Sequence, residues 1–118
     1  MKKQDNKQSI WQTFDIEVTK FNPSKTKKNG LMGYATVYVG GLEIELKNIG
    51  VFNTNGHIAI SPPTIPLDPE TNTSWFRIMD FYNKHDQIIF EKKVLEALPI
   101  YCKEHNIPLD LGSGILLV

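Results

Sequence analysis

Residues 31–60 read LMGYATVYVGGLEIELKNIGVFNTNGHIAI, three strand signals joined by two tight-turn signals, and this stretch decides the fold. Its first segment, 31–39, is rich in β-branched and aromatic residues, with Tyr34, Thr36 and Tyr38 on one face and Ala35, Val37 and Val39 on the other. Gly40-Gly41 is a two-residue hairpin signal. Leu42, Ile44 and Leu46 then alternate with Glu43, Glu45 and Lys47, giving a third strand with one apolar face that a one-residue slip would expose. Gly50 marks a bulge or a close backbone approach, residues 53–56 a second turn, and residues 57–60 a fourth strand. The segment predicts an antiparallel meander whose Leu42, Ile44 and Leu46 form a floor for a helix.

Upstream, residues 1–12 are polar and lysine-rich and predict a flexible lead-in. Phe14, Ile16 and Val18 then alternate with polar residues as a half-buried strand. The loop after it ends in Asn29-Gly30 and carries Lys25, Lys27 and Lys28 at its tip. Downstream, residues 61–70 hold four of the seven prolines, which excludes a central strand and predicts a stiff connector. Residues 74–82 return to strand character, and Asn83 or Asp86 offers a helix N-cap. Phe90, Val94, Ala97, Leu98 and Tyr101 follow helical spacing, so an amphipathic helix is expected over 84–98, with Pro99 ending it, kinking it or starting a second turn. Residues 106–118 read as a C-terminal extension whose apolar end, ILLV, needs cover from its own subunit or a partner. One domain over 13–105 is the expectation: α+β, a small antiparallel meander of about five strands packed with one C-terminal amphipathic helix.

The totals set limits on function. At 118 residues with 41% hydrophobic and 22% charged residues, the composition is that of one globular domain. The single cysteine, Cys102, excludes an intrachain disulfide and a multi-cysteine zinc site, which fits a reducing cytoplasmic location. No apolar run approaches the roughly 20 residues of a membrane span. The net charge of zero hides an asymmetry: residues 1–30 hold seven lysines against three acidic residues, a balance of +4, so the remainder carries −4. No nucleophile elbow, P-loop or dinucleotide fingerprint occurs. His57, His85 and His105 share no local spacing, Asp80 and Asp86 make no evident carboxylate pair, and Cys102 reads as a buried thiol. Neither an enzyme nor a cofactor is expected.

The segment order resembles the SpoVG family, the stage V sporulation protein G or septation-regulator proteins of bacteria. The likeness spans about residues 14–98 and is clearest in VFNTNGHIAISP at 51–62, and in Phe76-Arg77 leading to Phe81-Tyr82-Asn83 and the helix through Leu95. The resemblance implies a homodimer joined through a sheet edge and a regulatory role through DNA, with RNA as a second candidate. Arg77 matches the arginine that follows the family's aromatic residue. Where members carry a Lys-Arg pair after the fourth strand, this chain has Pro62-Pro63-Thr64-Ile65. The expected nucleic-acid surface is Lys25, Lys27, Lys28, Arg77, Lys84, Lys92 and Lys93. The residues alone also fit a plainer reading, in which Arg77 pairs with Asp80 or a strand glutamate and Lys92 and Lys93 only solvate the helix; the alternative function is an accessory module whose protein partner grips the ILLV tail or an open sheet edge.

Overall fold

The computed structural model describes residues 9–25, 30–68 and 74–109. Strands β1 (Asp15–Pro23), β2 (Leu31–Gly40), β3 (Ile44–Thr54), β4 (His57–Pro66) and β5 (Trp75–Arg77) pair in sequence order, every pair antiparallel. One helix, α1 (Lys84–Glu104), covers one face. The architecture is the expected α+β meander with a C-terminal helix. The β3–β4 hairpin turns at Asn55-Gly56, both with φ near the left-handed region at 55° and 85°, as an Asn-Gly turn requires.

Besides a register shift between Leu31 and Gly33 that leaves Leu31 and Met32 both buried, three bulges decide which residues enter the core. Ile16 and Val18 pair with Val39 and Val37, and unbroken alternation would turn Lys20 inward next. The register shifts between Val18 and Lys20 instead, so Phe21 is buried opposite Ala35 and Lys20 faces outward. In β3, Leu46 pairs with Val37 but Ile49 with Ala35; Asn48, at φ 60°, absorbs the extra residue and Ile49 and Val51 become fully buried. In β4, Ile60 pairs with Val51 but Pro63 with Ile49, again with one residue too many.

This third bulge overturns the reading of residues 61–70 as a connector. β4 runs through Pro62 and Pro63 to Pro66, and both central prolines are buried. A proline has no amide hydrogen to give to a ladder, and a bulge is where a sheet tolerates that loss. The hydroxyl of Ser61 accepts the Gly50 amide at 3.2 Å in place of a carbonyl. A Cβ on Gly50 would lie 2.6 Å from that hydroxyl and 2.7 Å from the Phe52 ring, which explains the glycine. β5 is shorter than expected, three residues rather than the nine of 74–82.

The helix also departs from expectation, running through Pro99 to Glu104. Phe90, Val94, Leu98 and Cys102 recur every fourth residue and are buried to 2% exposure or less. Two of them flank the proline, so burial and the cap beyond offset the roughly 3 kcal/mol that an interior proline costs. Asn106 ends the helix at φ 56°, while Asn106 N–H bonds to the Lys103 carbonyl and Ile107 N–H to that of Cys102, a Schellman closure. Ile107 and Leu109 continue onto the core; the ILLV end lies outside the described residues.

α1 lies mainly over β1, not over β3. Leu42 therefore does not form a floor. It sits in the turn of residues 41–43, 44% exposed, and Ile44 is 41% exposed although it shares the Val39 face. Residues 9–12 of the expected lead-in are structured. Ser9 caps a 3₁₀ turn, Ile10–Thr13, whose Trp11 makes edge contacts with Phe14, Phe81 and Phe90 at ring distances of 5.1, 5.2 and 5.7 Å. We expect Leu98→Ala to cost about 3 kcal/mol in urea unfolding and Leu42→Ala less than about 0.5 kcal/mol; equal losses would contradict this placement of the core.

Candidate nucleic-acid interface

Among the described residues no element covers the sheet face away from α1 over β1–β3, and its side chains are organised in cross-strand rows. Glu17, Tyr38 and Glu45 are register partners and form an acidic row at one end. Two residues along β2, Lys20 pairs with Thr36 from one side, and Lys47 follows Glu45 by two on the other. Asn22, Tyr34 and Gly50 make the next row. Beside it the Trp75 indole N–H donates to the Tyr34 hydroxyl at 2.9 Å, and Phe52 meets the Trp75 ring edge-on at 5.5 Å. The missing side chain at Gly50 leaves room for this aromatic group. The face thus changes from acidic to basic to aromatic along the strands.

At the acidic end, Glu43 adopts φ 57° in the turn after β2. Its carboxylate accepts the Tyr38 hydroxyl at 2.6 Å and the Gly41 amide at 3.3 Å. The tyrosine hydrogen bond, then the amide, hold the Glu43 carboxyl below its usual value, and the same bond to Glu43 raises the Tyr38 phenol.

The expected basic residues divide into groups. Lys27 and Lys28 lie outside the described residues, and Lys25 is exposed just past β1. Lys84 and Lys92 are exposed on the outer row of α1, which also carries Ile88 and Ile100. Arg77 pairs with Asp80 at 2.9 Å in an exposed ion pair. Lys93 differs from the rest: its ammonium donates to the carbonyls of Trp11, Gln12 and Phe14 at 2.9, 2.8 and 2.6 Å. All three of its donors are used in tying the 3₁₀ turn to α1, which withdraws it from any phosphate-contacting set. Lys20 and Lys47 were not expected in that set. In the sequence each is one polar residue of an alternating strand, and only the register brings both beside Thr36.

Among the described residues no group of three histidine, cysteine or acidic side chains could hold a metal ion. The Asn83 side chain caps α1 through the His85 amide at 2.8 Å, and the His105 ring stacks on Tyr101 at 3.9 Å. Cys102 is buried, and burial raises its thiol above the usual value. Among the described residues no helix is long and apolar enough to cross a membrane. No protein-family model, curated protein or solved structure matches the chain.

Two outcomes follow. Lys93→Met is expected to lower stability by about 2 kcal/mol, against less than about 0.5 kcal/mol for the neighbouring Lys92→Met, as read from urea midpoints. The Tyr38–Glu43 bond stabilises above the ordinary carboxyl value of 4.5 and below the ordinary phenol value of 10.0. That contribution is lost as pH falls through the depressed Glu43 pKa or rises through the elevated Tyr38 pKa. The midpoint gap between wild type and Tyr38→Phe should be widest between those limits and narrow on both sides; a gap independent of pH would contradict the assignment.

Proposed function

We propose that this chain is a SpoVG-like regulatory protein that binds nucleic acid as a homodimer and carries out no catalysis itself. The observation that carries this reading is the architecture. An antiparallel sheet followed by one helix fits the small antiparallel sheet with a C-terminal helix that the resemblance in residues 14–98 implies. Of the expected cations, Lys25, Lys84 and Lys92 are exposed and open to a phosphate. The two helix lysines are eight residues apart, about 12 Å along the axis. Arg77 can join them, because an exposed ion pair such as Arg77–Asp80 is weak and a phosphate competes with it at little cost.

Dimerisation is supported by the sheet edge. Ile65 and Phe76 are register partners on the β4–β5 ribbon, with Leu67 and Ile78 at alternate positions beside them, and their exposures run from 38% to 63%. An apolar row on an edge strand is a docking surface, and the Arg77–Asp80 pair leaves its rim neutral, so two copies would not repel. The same row favours a second reading, an accessory module that docks a different protein there without binding nucleic acid.

Fluorescence polarisation with labelled duplex DNA, single-stranded DNA and RNA separates the two readings. Binding should weaken about tenfold or more between 50 and 200 mM salt, as a few phosphate contacts require. No binding to any of the three at micromolar protein would leave only the protein-docking reading. Phe76→Glu should turn the dimer into a monomer by light scattering; a monomeric wild type would exclude the homodimer.

A further inference from the structure

We infer that the open face of the sheet, not the helix, is the seat of the nucleic acid, and that it takes a single strand. This rests on the nucleic-acid reading above and goes beyond it by naming the surface and the strand class.

The basic row lines a shallow depression of about 380 Å³, in which Lys20 and Lys47 flank Thr36 and the side chains of Asn22 and Asn48 add amide groups. Neither lysine forms an ion pair with a described residue. Two ammonium groups with neutral donors around a hydroxyl are a match for one backbone phosphate. Glu45 lines the side of the depression toward the acidic row. Together with Glu17 it repels a polyanion from that end, so the strand is directed the other way. The next row in that direction is Asn22 and Tyr34, and beyond it lie Phe52 and Trp75. Rings beside a phosphate seat are how proteins hold unpaired bases, whose faces are open for stacking. A duplex keeps its base faces inside and can use only the phosphate seat. Lys25, past the end of β1, extends the cationic path beyond Tyr34.

The test is polarisation with a labelled single strand and the corresponding duplex, using wild type, Lys20→Gln/Lys47→Gln, Lys84→Gln/Lys92→Gln and Trp75→Phe. All four lysines are exposed, so their variants should keep the wild-type urea midpoint. The inference expects wild type to prefer the single strand. The sheet double variant should lose about tenfold in affinity for it, with the salt slope smaller by about 0.7, the value for one phosphate contact on a single strand. Single-strand binding should quench tryptophan fluorescence, and Trp75→Phe should remove most of that quenching, because Trp11 lies on the other side of the sheet against Phe14 and Phe90. Unchanged binding by the sheet variant, with a loss confined to the helix variant, overturns the inference and leaves the nucleic-acid reading standing. A preference for duplex does the same. Absence of binding by wild type to either form overturns both.

Discussion

The row Phe90, Val94, Leu98 and Cys102 is the contact on which the rest of this structure depends. A sheet of five strands has two faces, and one helix can dry only one of them. That row seats α1 mainly against β1 and not against β3. Everything on the helix side then divides by distance from it. Val18, Phe21, Val37 and Ile49 are sealed, while Ile44 and Leu42 stay open to solvent. Lys93 and the Trp11 cluster fix the helix at its near end, and the Asn106 closure fixes its far end. Pro99 is carried along inside because both of its flanking anchors are buried.

The other face is left for function. Uncovered antiparallel sheet is normally just solvated, and much of this one is. What distinguishes it is that like-signed side chains line up across strands instead of alternating: Glu17 with Glu45, then Lys20 with Lys47. The members of each pair stand on β1 and β3 with β2 between them, and neither row has a register partner of opposite sign. Segregating the two signs in this way suits an oriented anionic ligand better than solubility alone. The fixed Tyr34–Trp75 hydrogen bond then supplies a preformed aromatic end.

Most of the fold was legible in the sequence because it follows local rules. Ala35, Val37 and Val39 alternate cleanly and are buried; Asn55-Gly56 turns as its chemistry demands; Phe90, Val94 and Leu98 face the core. What was not legible depends on partners. A bulge is one residue too many relative to a neighbouring strand, so nothing in β1 alone says that Phe21 and not Lys20 points inward. The prolines of β4 are tolerated for the same reason, since Gly50 and Ser61 meet across a bulge invisible in either strand. Of the candidate basic set, the exposure of Lys84 and Lys92 could be read from helical spacing. The capture of Lys93 by three carbonyls and the meeting of Lys20 and Lys47 required the tertiary register.

The proposed division is between a helix face that holds the domain together and a sheet face that binds. Amide chemical-shift mapping with an unlabelled single-stranded oligonucleotide tests that division residue by residue. The account predicts a continuous set of shifts through Lys20, Asn22, Tyr34, Thr36 and Lys47, with the indole resonance of Trp75 moving and that of Trp11 unmoved. Shifts confined to the exposed row of α1 around Lys84 and Lys92, with the sheet amides unchanged, would contradict it.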